Sequence, residues 1–296
     1  MDLLVNMIEH ICMYAPMMVG AYISFSLMKV PNLSIEAAFV SGAIAACKAL
    51  ELTHDMGMMI CLPAVLLASI VGGVLVGVLI AALDTYAKIP HLLASILTLG
   101  LCFGANLFVL GVANVSVTQM ANPLAILPLS THPELGMFAI ITLVVMVLGF
   151  LFLKTQLGMC LRVYGNNPGF FANYGTSTAF VVAAGLILSN ALVGLSGYMT
   201  AQSNGFVDIN AGAGISLYGI TVLILGKTLL KFVKKPSIFI PLAGLVIYAG
   251  LQQVLLGVGC NMRYFTAIQS VIVVALLVIN YHRKSVHELV GDHLGV

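Results

Sequence analysis

The chain has 296 residues, of which 61% are hydrophobic and 7% are charged, and its formal net charge is +2 at pH 7. So few ionic groups do not cover the surface of a water-soluble globule. A net charge this small, with basic residues placed between apolar runs, also excludes a nucleic-acid-binding protein. The composition therefore predicts an integral membrane protein that contacts the lipid bilayer along most of its length.

Apolar runs follow one another along the whole chain, and each approaches the roughly 20 residues that a helix needs to cross a bilayer. We predict an all-α polytopic membrane protein, a bundle of about 8–10 transmembrane helices that forms a single domain over residues 1–296. The first apolar run follows no basic segment, so we expect no cleaved signal peptide. Nine spans are predicted, at about 8–28, 34–50, 58–83, 91–113, 134–153, 179–202, 213–232, 236–257 and 264–281.

Basic residues predict which side of the membrane each loop occupies, because short loops that carry Lys and Arg stay in the cytoplasm. Lys154 and Arg162 flank the loop after the fifth span, and further basic groups precede Pro236 and follow the last span. The polar interval 114–133 has no Lys or Arg and is predicted to be extracytoplasmic. Alternation of the spans then places the N-terminus outside.

The sequence KVPNLSIEAAF, residues 29–39, interrupts the apolar pattern after the first span. Pro31 is expected to end a helix, and Ser34 is a suitable N-cap for the next one, with Glu36 in its first turn. This segment is either a tight cytoplasmic turn, with Glu36 at the membrane interface, or a helix break at membrane depth. A carboxylate at that depth would indicate a functional site.

Gly73 and Gly77 are spaced as G-x-x-x-G, as are Gly100 and Gly104, and in a bundle this spacing favours close contacts between helices of one subunit. The cysteines and histidines show no metal-binding or disulfide spacing. The sequence LGKT at 225–228 lacks the first glycine of a phosphate-binding loop. We therefore expect no enzyme activity, no catalytic residue, no metal site and no cofactor bound by this chain.

A polar loop at about 158–178 joins the fifth and sixth spans and contains the sequence GNNPGFFANYGTS. Asn167 and Pro168 predict a turn, because a residue that precedes proline is disfavoured in helical geometry. A short helix over 169–174 is predicted to follow this turn.

Three aromatic residues, Phe170, Phe171 and Tyr174, lie on this predicted short helix, which Gly175 would end. Aromatic side chains on a cytoplasmic helix are suited to fill the groove of a partner protein. The alternative is an interfacial loop whose aromatic rings face lipid headgroups.

The order L-R-x-x-G-N-N-P, followed by Y-G-T-S-T and a long apolar span, resembles the membrane subunits of bacterial ABC importers of the branched-chain amino acid and ribose permease superfamily. The sequence most resembles a subgroup of ABC permeases described as putative tryptophan or tyrosine permeases or as uncharacterised. Two earlier stretches, PNLSIEAAFVSGAIAA and KIPHLLASILTLGLCFGANLFVLG, resemble the same family. The likeness therefore extends from about residue 12 to residue 281.

This resemblance implies a non-catalytic permease subunit of the bacterial cell membrane that pairs with a second copy of itself. Cytoplasmic ATPase subunits would hold ATP and Mg²⁺. An extracytoplasmic binding protein would deliver a small solute, expected to be an aromatic or other hydrophobic amino acid. The chain departs from the family pattern at 169–171 and 173–176, which predicts a more apolar ATPase contact. The residues carried over for that contact are Arg162, Gly165, Asn166, Asn167, Pro168, Phe170, Phe171, Tyr174 and Gly175.

Polar side chains within the predicted spans mark a candidate translocation path, because such groups are costly when they face lipid. Hydrogen bonding between helices of one subunit is the alternative role of each. The candidates are Asn190 and Asn106, followed by Ser189, Ser196, Thr98 and Glu36.

A self-sufficient, ion-coupled secondary transporter is the alternative function. Such carriers bind the driving ion through carboxylates or histidines at membrane depth. Glu36 is the candidate for that role.

Overall fold

The computed structural model describes residues 2–53, 57–118, 123–126, 134–173, 177–230 and 238–257, and also residues 267, 268, 270, 271, 274, 275 and 278. These residues are mostly helical, with two short strands. In chain order the elements are α1 (Asp2–Ala21), a π-helix (Tyr22–Met28), α2 (Ser34–Thr53), α3 (Met58–Thr85), α4 (His91–Leu110), β1 (Asn114–Ser116), a 3₁₀-helix (Pro123–Ile126), α5 (Leu135–Lys154), α6 (Gln156–Asn166), a second 3₁₀-helix (Pro168–Asn173), α7 (Thr178–Asn204), β2 (Phe206–Asp208), α8 (Ile215–Leu229) and α9 (Phe239–Gly257).

The first eight predicted spans each correspond to a helical segment whose bounds agree within a few residues, and the ninth lies mostly outside the described residues. The prediction of an all-α polytopic membrane protein is confirmed. Helices α8 and α9 are apolar but shorter than a full span. Within the described part of the chain, five segments are long and apolar enough to cross a membrane, Leu4–Met28, Met58–Thr85, His91–Leu110, Leu135–Lys154 and Thr178–Asn204.

Helix α7 forms the centre of the bundle, where it contacts α1, α2 and α3. It begins where the Ser177 hydroxyl accepts a hydrogen bond from the Phe180 amide, at 3.4 Å. It ends at Gly205, whose positive φ of 76° is readily adopted by a residue without a side chain. Beyond this end, β2 pairs antiparallel with β1, so that the ends of α4 and α7 are joined by backbone hydrogen bonds.

The close packing of α3 on α7 depends on glycine. A Cβ atom on Gly73 would overlap the carbonyl oxygen of Asn190, and one on Gly77 would lie 2.6 Å from the Cα atom of Ile187. The internal contact predicted from this glycine pair is therefore present. The other pair differs, since no atom of the described residues lies within 4 Å of a Cβ placed on Gly100 or Gly104.

These two glycine pairs provide a matched test of the packing. Both Gly73→Ala and Gly104→Ala gain helix propensity, by roughly 1 kcal/mol. We expect Gly73→Ala nevertheless to lower the free energy of unfolding by about 1–3 kcal/mol, because α3 and α7 must separate, whereas Gly104→Ala should be neutral or stabilising. Thermal unfolding of the purified protein in mild detergent measures both. Equal stability of the two variants would contradict the close contact.

Candidate translocation and coupling site

The first two spans are separated by a break at residues 29–33. The π-helix ends at Lys29, which adopts a left-handed conformation with φ 55°, and α2 begins at Ser34. Ser34 lies beside Asn190, which is one residue from the centre of the 27-residue α7. Of the two interpretations left open by the sequence, the burial of Asn32 and Ser34 favours a helix break inside the bundle, although Lys29, on the N-terminal side of the break, is exposed.

Three fully buried polar residues, Asn32, Ser34 and Asn190, hold this break in place. The Asn32 side-chain oxygen accepts hydrogen bonds from the Ser34 hydroxyl at 2.6 Å and from the Ser34 amide at 3.1 Å. The Asn190 side-chain amide in turn donates to the Ser34 hydroxyl at 3.0 Å. The Ser34 amide at the start of α2 is thus paired with a side chain instead of water.

A cavity of about 450 Å³ lies between the start of α2, helix α4 and the turn at 209–214. Its polar lining includes the Glu36 carboxylate and the Asn106 amide. Glu36 accepts a hydrogen bond from the Ser216 amide at 3.3 Å, and Asn106 accepts one from the Ser41 hydroxyl at 3.1 Å. The remaining lining residues are Ala37, Val40, Ile96, Leu99, Gly100, Phe103, Ile209, Asn210, Gly212 and Ala213.

The other predicted path residues are buried and bonded within the subunit. The Ser189 hydroxyl donates to the Gly20 carbonyl at 2.8 Å, and the Ser196 hydroxyl donates to the Met13 carbonyl. The Thr98 hydroxyl donates to its own helix, at the Ala94 carbonyl. Together with Asn190, these residues lie away from the described lining of the cavity, so that only Glu36 and Asn106 of the six predicted residues meet there.

The loop at 158–178 has more helix than the sequence predicts. Helix α6 occupies its first half, and the Thr155 hydroxyl accepts a capping bond from the Gly158 amide at 3.2 Å. Asn167 then leaves helical geometry before Pro168, with φ −149° and ψ 90°, as predicted. The short helix predicted at 169–174 is a 3₁₀-helix over Pro168–Asn173.

The predicted coupling residues of this loop differ in exposure. Phe171 is 4% exposed and packs into the core of its own subunit, whereas Phe170 is 39% exposed. Tyr174 and Gly175 lie outside the described residues. Arg162 is half-buried, and Asn166, Asn167 and Pro168 are exposed on the loop surface.

Helix α6 is in direct contact with the break. Gly165 approaches so closely that a Cβ atom there would overlap the carbonyl oxygen of Leu27. One residue later, the Asn166 side-chain oxygen accepts a hydrogen bond from Lys29 Nζ at 2.9 Å. Two of the predicted coupling residues thus contact the chain on the N-terminal side of the break.

A second contact of α6 was missed in the sequence. His91 Nδ1 lies 2.8 Å from Asp84 Oδ1, and His91 Nε2 lies 3.2 Å from the Tyr164 hydroxyl. Burial raises the pKa of Tyr164, and the nearby Asp84 carboxylate raises this pKa further, so the phenol stays neutral at physiological pH. The cluster joins α6 to the turn between α3 and α4. The short Asp84–His91 separation was visible in the sequence, but nothing there indicated Tyr164.

Comparison with known proteins agrees with this membrane architecture. The family model described as the permease component of branched-chain amino acid transport systems matches residues 3–280. The chain belongs to this family. It is therefore a multi-pass permease of the bacterial cell membrane, which confirms the resemblance seen in the sequence.

Individual relatives cover most of this permease. An uncharacterized protein of Rickettsia prowazekii is 29% identical over 88% of this chain and 91% of its own length. The tyrosine transport system permease protein of Clostridioides difficile is 28% identical over 88% of this chain and 85% of its own. The autoinducer 2 import system permease protein LsrC of Escherichia coli is 26% identical over 68% of this chain and 57% of its own. No solved structure matches the permease.

The buried polar cluster is open to a direct test. We expect Asn190→Ala to lower the free energy of unfolding by about 1–2 kcal/mol, because the Asn32 and Ser34 side chains lose a buried partner. The double variant with Asn32→Ala should cost less than the sum of the two single variants. Unfolding in mixed detergent micelles measures this cycle. Asn204→Ala, at an exposed position on the same helix, is the control, and additive costs would contradict the proposed pairing.

Proposed function

We propose that this permease is the membrane subunit of an ATP-driven ABC importer. Two copies would form the translocation unit, and cytoplasmic ATPase subunits would dock on the loop at 158–178. An extracytoplasmic binding protein would supply the solute, which we propose to be an amino acid with an aromatic or other hydrophobic side chain.

One geometric observation carries this proposal, namely the contact between α6 and the helix break. Gly165 packs on the Leu27 carbonyl and Asn166 bonds Lys29, so a movement of α6 acts directly on the break. The buried Asn190 cluster fixes the other side of the break to α7. A subunit whose cytoplasmic loop contacts a helix break inside the bundle is suited to an ATPase that changes conformation on the cytoplasmic side.

The break also positions one wall of the cavity. Glu36 follows Ser34 by two residues and faces the cavity from the first turn of α2. A rearrangement at residues 29–33 would therefore change the position of the Glu36 carboxylate. A movement of α6 would in this way change the proposed solute site, as the mechanism of an importer requires.

The cavity lining supports an amino acid as the solute. The lining contains a carboxylate and two Asn side chains, Asn106 and Asn210, with no Lys, Arg or His among the described lining residues. A carboxylate suits a solute ammonium group, and the amide nitrogens of Asn suit a solute carboxylate. The apolar walls, which include Phe103, suit a hydrophobic side chain. The relative from Clostridioides difficile, named for tyrosine transport, agrees with this choice.

The ion-coupled secondary transporter remains the second candidate because of Glu36. This carboxylate lies next to a cavity inside the bundle, near the level of the centre of α7, where a driving proton or sodium ion could be bound.

A first test examines ATPase docking. We expect Phe170→Ala to reduce the ATPase that co-purifies with the tagged permease by about fivefold or more, because truncation of a hot-spot side chain in an interface costs more than about 1 kcal/mol. Phe180→Ala removes a ring that is 61% exposed just beyond the loop and serves as the control. Docking at this loop would be refuted if Phe170→Ala retained as much ATPase as the wild type.

A second test separates the two energy sources. In proteoliposomes that contain the permease with its ATPase and binding protein, we expect amino acid uptake to require internal ATP and to persist when ionophores abolish the proton and sodium gradients. Uptake by the permease alone, lost on ionophore addition, would instead establish the secondary transporter. We expect Glu36→Gln to lower uptake about tenfold through loss of a charge-assisted contact. Glu51→Gln, at an exposed acid of the same helix, should not.

A further inference from the structure

A second cavity, of about 330 Å³, lies between the π-helix with its break and helix α8. Two lysines, Lys29 and Lys227, line it together with apolar residues. Both lysines are exposed, and both stand at the end of a helix, after the π-helix and in the last turn of α8. The apolar lining is formed by Phe25, Val30, Pro31, Ile220, Leu223 and Ile224, with Ser26 beside them.

The positive charge of this cavity is not balanced by the described part of the chain. No Asp or Glu is among its lining residues, and neither lysine forms an ion pair with a described carboxylate. Lys29 Nζ is bonded to the neutral amide of Asn166. In the sequence, Lys231, Lys234 and Lys235 follow Lys227 closely, which concentrates positive charge in this part of the chain.

Both lysines are expected to lie at the cytoplasmic leaflet of the membrane. Lys29 contacts α6, which follows Lys154 on the side assigned to the cytoplasm by its basic residues. Long lysine side chains at helix ends extend toward the membrane interface, where phospholipid phosphates lie. Basic pockets between helices at the cytoplasmic face bind anionic headgroups, and apolar walls beside such a pocket suit acyl chains.

We propose that this cavity binds the phosphate of an anionic phospholipid from the cytoplasmic leaflet, with Lys29 and Lys227 as its two cationic ligands. This site is separate from the proposed solute cavity. The proposal does not depend on which solute is transported or on which ATPase drives transport. Because Lys29 also bonds Asn166, the bound headgroup would touch the same side chain that joins α6 to the break.

Native mass spectrometry of the full-length permease in mild detergent tests the site. We expect phosphatidylglycerol to be retained in preference to phosphatidylcholine. Lys29→Gln and Lys227→Gln should each weaken phosphatidylglycerol binding by about fivefold, the loss expected for one lysine near an anionic surface. Lys88→Gln is the matched control, because it removes the same charge from an exposed residue of the α3–α4 turn that does not line the cavity.

Three outcomes would overturn the proposal. The first is equal retention of the two phospholipids, and the second is an equal loss of binding in Lys88→Gln, which would indicate attraction by overall charge alone. The third is displacement of phosphatidylglycerol by millimolar inorganic phosphate, which would identify a free anion as the ligand. Should Lys29→Gln fail to fold because it loses the Asn166 bond, Lys227→Gln alone decides the result.

Discussion

A helix interrupted inside an apolar bundle must pair its freed polar groups, because no bulk water is there to do so. In this permease the Asn32–Ser34–Asn190 cluster pairs the Ser34 amide and its own side chains, with all three residues fully buried. The cluster fixes where α2 begins and how it meets α7. The position of Glu36, and with it one wall of the larger cavity, follows from these hydrogen bonds.

Residues on either side of the break line two different cavities. On its N-terminal side Lys29 lines the smaller, positively charged cavity, and on its C-terminal side Glu36 lines the larger one. The two charges are of opposite sign and are separated by only six intervening residues. Helix α6 contacts the N-terminal side of the break and α7 contacts its C-terminal side, so the break connects the contact with α6 to the linings of both cavities.

Hydropathy was sufficient to place eight spans, because transfer of about 20 apolar residues into a bilayer dominates local preferences. The spacing of the glycines predicted helix contacts less well than hydropathy predicted the spans. Gly73 and Gly100 each begin a G-x-x-x-G pair, yet of these two only Gly73 closely contacts a neighbouring helix. Which pair makes such a contact depends on which face of its helix points into the bundle, and the spacing does not specify this. The burial of Phe171 and the meeting of Tyr164 with His91 also depend on contacts between residues far apart in the chain. The sequence contained no sign of either.

The short β1–β2 ladder holds together the chain segments that follow α4 and α7. Its three residue pairs are joined through backbone groups, and the turn that follows it reaches the larger cavity at Asn210 and Gly212. The N–H and C=O groups that form such bonds are carried by every residue except proline, which has no N–H. Side-chain replacements along β1 and β2 therefore leave the bonded groups in place, and the ladder acts as a fixed backbone support for the turn that lines the larger cavity.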